Sequence, residues 1–570
     1  MVFMRHGLDR LLWLTDDLGW MIPLSYMILF AGPTVLFSIV ATRWPAFAHR
    51  ATVGLLGFAG FFSLVFLIPW LHIIAIVILA AGLAVAVTRW STDHRDRFMR
   101  VAIPATAVLA VLVLGLAVWR TVGERMTERR AIANLPEATR GAPNVLMIIL
   151  DTVRASRMGL YGYPRETSPN LNALAQRAIT FDWAVATSPT SLPSHASMLT
   201  GRYPDEMDAG WLTPLSDRYP TLPEQLQIRG YATAAFSGNL FYFTRETGLD
   251  RGFLHFADHP RTLRRLITTS SLGQAIVRVQ MIVRLGRTAA QQVMQVRRIS
   301  QPKTANDVDN EFWDWIDRRD GDHPYFAVLN YLDAHAPYEP PQELRSAFVR
   351  PCIRGLQTQE QCVLQVRSDR YDATIANVDR HVGRMLDSLQ ARGTLDNTIV
   401  IVTSDHGELL GEHGLFGHGN SLYFEVLHVP LLIAIPGGPA GRVTRPVSLR
   451  DLPSTILDLV GAEPSGLPGT PWRALWASSQ SPPADTLMAF VKRGINKPDH
   501  EPVAHGDLYS LTAWPFHYVS NTDGSTQLFD VSERPGRRAD RGSQTEFEDV
   551  MTVFRQAVER RQREVHDPNR

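Results

Sequence analysis

Residues 20–41 contain no charged side chain, and neither do residues 51–88. An α-helix needs about twenty apolar residues to cross a ~30 Å hydrocarbon core, so uninterrupted runs of this length point to membrane spans. The second run is too long for one span. Pro69-Trp70-Leu71-His72 divides it, and Trp70 suits the interface between lipid and water. Val101–Trp119 is a further run. The sequence therefore predicts an all-α transmembrane region over residues 1–119, with spans at about 20–41, 51–69, 71–88 and 101–119. The competing reading, a buried soluble helical domain, rarely tolerates such charge-free stretches. Because further spans follow the first, it is not read as a cleaved signal peptide.

The remainder of the 570 residues reads as soluble protein. It is long enough for a sizeable core and at least one further domain. The whole chain carries 57 basic and 56 acidic side chains, a net charge of +1, which gives no case for nucleic-acid binding. Arginines do not orient the spans, because six fall on each side of the expected topology. The only two cysteines, Cys352 and Cys362, lie ten residues apart in one polar stretch. Such a pair suggests a disulfide and an oxidising compartment. That places the soluble part on the periplasmic or extracellular side of a cell or inner membrane.

Residues 120–143 form a charged linker. Beyond it, apolar runs recur with polar residues at their ends. Val145–Leu150 ends at Asp151, Ala232–Phe236 at Ser237-Gly238-Asn239, and Phe326–Leu332 at Asp333-Ala334-His335. Thr398–Val402 ends at Ser404-Asp405-His406, and Leu431–Ile435 at Pro436-Gly437-Gly438. Runs this apolar suit strands buried on both faces, as in a parallel sheet. Ile375, Val378, Val382, Met385, Leu386 and Leu389 keep helical spacing before Gly393. Alternating strands and helices predict an α/β sandwich over 144–480, and ligands in such sheets gather at strand carboxyl ends. Residues 259–303 interrupt it with a basic, partly apolar insertion, which fits either a membrane-lying helix or a solvated one packed on its own domain. Residues 481–570 predict a small antiparallel subdomain around the turn Asp523-Gly524, closed by a helix over 547–565.

The chemistry concentrates in a few places. Ser191-Leu192-Pro193-Ser194-His195 reads as a helix start, where free N–H groups and the dipole favour an anion. Asp405-His406-Gly407-Glu408 offers an oxygen and a nitrogen ligand side by side, and Asp151 offers another carboxylate. Ser191 could complete a metal sphere, since a divalent cation acidifies a bound hydroxyl. Mixed O/N ligation suits one Mn, Mg or Zn ion better than Ca. Taken singly, Asp151 is a helix cap and His406 a loop histidine.

From Asn144 onward the chain resembles the sulfatase family of the alkaline-phosphatase-like superfamily. The matching stretches are Asn144–Arg154, Tyr161-Gly162-Tyr163, Ser168-Pro169-Asn170-Leu171 and Ser191–Arg202. They continue with Asp333–Tyr338, Tyr371-Asp372-Ala373-Thr374-Ile375 and Ser404-Asp405-His406-Gly407. The resemblance implies that Asp151, Asp405 and His406 hold the metal and that Ser191 is a nucleophile forming a covalent ester. It implies that His335 contacts the ester oxygens or protonates the leaving group. His418 falls where many sulfatases carry a lysine, and His195 where they carry an arginine.

Serine replaces the usual cysteine precursor of formylglycine, Thr152 replaces the second aspartate of the calcium site, and His406 stands where calcium-binding members often have asparagine. These departures point to one metal and an unmodified hydroxyl, as in the membrane-anchored phosphoglycerol and phosphoethanolamine transferases, which use threonine. Thr190 is the adjacent alternative nucleophile. The substrate class is a sulfate or phosphate ester, lipid- or glycan-linked on grounds of tethering, and either hydrolysis or transfer is open. A non-catalytic membrane-tethered binding protein is the reading from another class.

Overall fold

A computed structural model describes residues 18–65, 71–259, 263–268, 303–319, 323–352, 357–462, 466–477, 486–494, 497–533 and 538–565, with isolated positions between 270 and 276. Most of the basic insertion and the Pro69-Trp70 divider lie outside the described residues. The chain falls into two compact units, residues 1–130 with 260–301, and residues 131–259 with 302–570.

The first unit is built from apolar helices. They are α1 (Leu18–Ala41), α2 (Pro45–Val65), α3 (Ile73–Asp93) and α4 (Arg95–Ala133), all long and apolar enough to cross a membrane. Phe62, Val65, Ile76 and Ala80 pack α2 on α3. Elsewhere large apolar side chains such as Ile39, Ile78, Val111 and Trp119 stay exposed. The described start of the insertion belongs to this unit, where the Ser25 hydroxyl donates to the Ile267 carbonyl at 3.0 Å.

The fourth helix departs from the expected boundary. It does not stop at Trp119 but runs through the charged stretch to Ala133. No proline interrupts residues 120–133, and Arg120 and Glu124 are spaced one turn apart, an arrangement that supports a helix in water. Its 39 residues correspond to about 58 Å, well beyond one hydrocarbon core.

The second unit is organised by an eight-stranded sheet. Its strands are β1 (Asn144–Leu150), β2 (Ile179–Phe181), β3 (Ala232–Ser237), β4 (His255–Ala257), β5 (Tyr325–Tyr331), β6 (Thr398–Thr403), β7 (Leu431–Ala434) and β8 (Gly441–Val443). Their order is β8-β2-β7-β6-β1-β5-β3-β4. From β6 to β4 all pairings are parallel, whereas β7 runs antiparallel to both neighbours. Alternation along β1 feeds two cores. Val145, Met147 and Ile149 join one, and Leu146, Ile148 and Leu150 join the other. Helix α5 (Ser191–Thr200) packs into the first core through Leu192, Ala196 and Leu199. Helix α6 (Gln359–Ala391) packs into the second through Tyr371, Ile375, Val378 and Val382.

The parallel strands bring their carboxyl ends to one edge, and with them Asp151, Asp405, His335 and Asn239. Being antiparallel, β7 sends Pro436-Gly437-Gly438 to the other edge, so that loop does not join the convergence expected from sequence.

Cys352 and Cys362 are disulfide-bonded, with Cα atoms 5.6 Å apart, just before and within the first turns of α6. Closing so short a loop contributes of order 2–3 kcal/mol. Thermal unfolding followed with and without reductant is expected to give a lower Tm for the reduced protein. An unchanged Tm would remove the bond from the stability of this domain.

The C-terminal part forms a four-stranded antiparallel sheet, β9 (Leu487–Val491), β10 (Leu508–Ala513), β11 (Phe516–Asn521) and β12 (Thr526–Asp530), backed by α7 (Glu548–Val565). Within it His517 Nε2 lies 2.7 Å from the Leu422 carbonyl and Nδ1 lies 2.8 Å from the Thr512 hydroxyl. Burial pushes His517 and His428 down to about 4. An unfolded histidine titrates near 6.5, so the unfolded chain takes up these protons first as pH falls. The stabilisation, of order 3 kcal/mol each, is complete above pH 6.5 and disappears as pH drops through about 4. A series of melting curves is expected to show Tm falling across that window, and a flat Tm down to pH 4 would contradict it.

Candidate active site

Ser191 is the first residue of α5, and Thr190 is its N-cap in extended conformation. Its Oγ lies 3.2 Å from His406 Nε2. Thr190 Oγ1 instead sits 3.0 Å from Ser188 Oγ, so the two candidate hydroxyls have different partners. His406 follows β6, and its Nδ1 lies 3.0 Å from the Gly407 carbonyl. A carbonyl only accepts, so Nδ1 carries the proton and the Nε2 lone pair faces Ser191.

Asp405 and Asp151 are fully buried. Asp405 Oδ1 accepts the backbone N–H groups of Thr152 and His406 at 3.0 and 2.9 Å. Thr152 reaches that carboxylate with a φ of 63°, a left-handed conformation costly for a β-branched residue. Tyr371 stabilises the same turn, donating its hydroxyl to the Thr152 carbonyl at 2.7 Å and accepting the Arg154 N–H at 3.1 Å. The Tyr371-Asp372 motif is thus scaffolding. Asp372 accepts from Arg157, Tyr163 and Arg165.

Two carboxylate oxygens, Asp151 Oδ1 and Asp405 Oδ2, are buried with no hydrogen-bond partner. Burial first, and the Asp405 charge second, raise the Asp151 carboxyl above its ordinary range. Burial also pushes Asp405 upward, but the His406 and His195 rings and the Thr152 N–H outweigh it and hold that carboxyl low. Paired buried carboxylates with orphaned oxygens are the electrostatics of a cation site.

Donor spacing agrees. Two ligands each about 2.0–2.1 Å from a tetrahedral cation stand about 3.3 Å apart. His406 Nε2 lies 3.3 Å from Asp405 Oδ2 and 3.2 Å from Ser191 Oγ. These spacings suit a divalent ion, although the three donors that lie within 4.8 Å of one another are those of Asp151, His195 and Asp405, without His406.

His195 also approaches, with a ring nitrogen within 4.8 Å of oxygens of Asp151 and Asp405. Both its nitrogens have partners, however. Nδ1 lies 2.7 Å from the Ser191 carbonyl and Nε2 lies 3.4 Å from Asn330 Nδ2, while the ring stacks on Phe243. That makes His195 a neighbour of the carboxylates more than a free ligand.

His418 and His335 complete the cluster. The His418 ring is 4.4 Å from His406 and 5.0 Å from His335. His418 Nδ1 lies 3.3 Å from Glu408 Oε2. Burial raises Glu408, but His418 beside it brings the carboxyl below its ordinary value. His335 Nδ1 is 2.9 Å from the Ala336 carbonyl. All of the sequence-derived candidates thus gather at one strand edge.

Sequence reasoning placed Asn239 at a strand end without a role, missed Asn330, and gave Glu408 no role. Asn239 and Asn330 both donate to Asp151 Oδ2, at 2.9 and 3.2 Å. The available signal was Asn330 itself, a lone amide inside the apolar run Phe326–Leu332.

The sheet is that of known hydrolases. The phosphonate monoester hydrolase of Agrobacterium radiobacter aligns with a TM-score of 0.57 and 21% identity, over 74% of this chain and 96% of that one. A structure bound to its substrate D-glucosamine-2-N,6-O-disulfate aligns with a TM-score of 0.58 and 19% identity, over 75% and 99%. An uncharacterized sulfatase of Escherichia coli, YidJ, is 24% identical over 464 residues, 75% of this chain and 88% of that protein. Fold and relatives define an ester hydrolase with an alkaline-phosphatase-like sheet. More particularly, the sulfatase family model matches residues 143–462, over half of the chain, and the protein belongs to the sulfatase family.

Proposed function

We propose that this protein is a membrane-anchored, metal-dependent hydrolase of sulfate or phosphate esters that works through a covalent ester on Ser191. The observation that carries the reading is Ser191 Oγ at 3.2 Å from His406 Nε2, beside two buried carboxylates with orphaned oxygens. Asp151, Asp405, His406 and the Ser191 hydroxyl would hold one Mn, Mg or Zn ion. When bound, that ion supplies positive charge that acidifies the hydroxyl and offsets charge on the ester oxygens.

The protein's own groups do the rest. The N-terminus of α5 presents N–H groups to the anionic ester. Ser191 releases its acidified hydroxyl proton to solvent, and its Oγ attacks sulfur or phosphorus. The new bond forms as the bond to the leaving oxygen breaks. A protonated His335 or His418 gives that oxygen a proton and regains one from the water of the next step. Water then attacks the serine ester, releasing sulfate or phosphate and restoring the hydroxyl. Glu408 orients His418 for this work.

The four apolar helices support anchoring, and the disulfide supports an oxidising compartment for the catalytic unit. Tethering favours a lipid- or glycan-linked substrate. The relatives include enzymes of both sulfate and phosphonate esters, so both chemistries stay in the assay. Purified protein is assayed with an aryl sulfate, a phosphate monoester, a phosphate diester and a phosphonate monoester, each with MnCl2 and with EDTA. Metal-dependent turnover of at least one is expected. Turnover unaffected by EDTA, or none of any ester, would overturn the reading.

A further inference from the structure

β5 is buried along its whole length, yet its sixth residue is Asn330, which is wholly inaccessible to solvent. A primary amide buried in such a strand costs several kcal/mol unless its hydrogen bonds are made. Here every polar atom is used. Asn330 Oδ1 accepts the backbone N–H of Asn239 at 3.0 Å. That N–H can only donate, so the orientation of the amide is fixed and Nδ2 must face the other way. Nδ2 then donates to Asp151 Oδ2 at 3.2 Å and to His195 Nε2 at 3.4 Å.

Asn239 repeats the logic from the loop after β3. Its Oδ1 accepts the N–H groups of Phe241 and Tyr242 at 3.2 and 3.0 Å. Its Nδ2 is thereby turned to Asp151 Oδ2, at 2.9 Å. Two amides from two strand ends thus converge on one carboxylate oxygen. The other, Asp151 Oδ1, is left buried without a partner.

We propose that Asn330 and Asn239 are positioning residues, an amide clamp that fixes the Asp151 carboxylate so that Oδ1 alone is presented to the metal. The clamp rests on the metal-dependent reading above. Asn330 also holds His195 with its proton on Nδ1, against the Ser191 carbonyl, so one amide ties the metal carboxylate to the helix that carries the nucleophile. Groups that orient a metal ligand typically change metal affinity or activity 10–100-fold when removed.

The test uses the full-length protein in detergent, with MnCl2 as the probe. Mn2+ binding is measured by calorimetry for wild type, Asn330→Ala, Asn239→Ala, Asp151→Asn and the Asp151→Asn/Asn330→Ala double variant. Melting curves in EDTA report folding. The expected result is Mn2+ affinity weakened about 10–100-fold in each asparagine variant. No further weakening is expected when Asn330→Ala is added to Asp151→Asn, because the clamp acts through that carboxylate. Wild-type affinity in both folded asparagine variants would overturn the clamp alone. So would a full additional loss in the double variant, which would put the effect elsewhere. A wild type that binds none of Mn2+, Mg2+ and Zn2+, each titrated in the same way, would overturn the metal reading and the clamp with it. Asn239 lies in a loop rather than a central strand, so its variant keeps the test decisive if Asn330→Ala does not fold.

Discussion

Ser191→Ala is expected to lower turnover by about 10⁴-fold or more while the protein melts as wild type does. The hydroxyl is the only group lost, and its one hydrogen-bond contact is with His406 Nε2 at 3.2 Å. Helix α5 keeps its N-cap Thr190 and its packing through Leu192, Ala196 and Leu199. Such a substitution costs little stability but removes the atom on which the covalent ester forms. Thr190→Ala serves as the contrast. That hydroxyl is engaged with Ser188, so its removal is expected to leave activity within about tenfold of wild type. Steady-state assays with the best ester from the substrate panel check both. Retained full activity in Ser191→Ala would end the nucleophile assignment, and a collapse confined to Thr190→Ala would move it one residue.

Asp405→Asn is the second large effect. The amide can keep one oxygen toward the Thr152 and His406 N–H groups but brings no charge to the cation site. Activity is expected to fall at least about 10³-fold, the scale for losing a group that stabilises developing charge. Stability should fall as well. Against the effect of burial, the His406 and His195 rings and the Thr152 N–H hold the Asp405 carboxyl low, so the metal-free fold favours its charge. The variant is therefore expected to melt below wild type in EDTA, and by a wider margin with MnCl2. A variant that melts as wild type does under both conditions would remove Asp405 from the charged site.

Strand ends carried most of what the sequence revealed. Val145–Leu150 and Thr398–Val402 are apolar on both faces because each face of β1 and β6 packs into a separate core, so the residues that stop them, Asp151 and Asp405, mark the functional edge of the sheet. The same reasoning failed for Leu431–Ile435. An apolar run gives no direction, and β7 is antiparallel. The helix that continues through Arg120–Ala133 was hidden by charge, since polar composition reads as linker while i,i+4 spacing of opposite charges supports a helix.

The amide clamp was harder to see. Asn330 gains its meaning only from Asn239, ninety-one residues earlier in the chain, and from Asp151 on a third strand. Neither pairing leaves a local pattern. Metal donors were legible through Asp405-His406 because two ligands adjoin in sequence. Which nitrogen of which histidine faces the nucleophile depended on the Gly407 carbonyl, a feature of backbone geometry.

The most direct test is the mass spectrum of the peptide containing Ser191, taken from enzyme at rest and from enzyme quenched in acid during turnover. The expected result is unmodified serine at rest and a sulfate or phosphate ester on Ser191 after quenching. Formylglycine at this position, or sustained turnover with no ester ever found on Ser191, would contradict the serine mechanism.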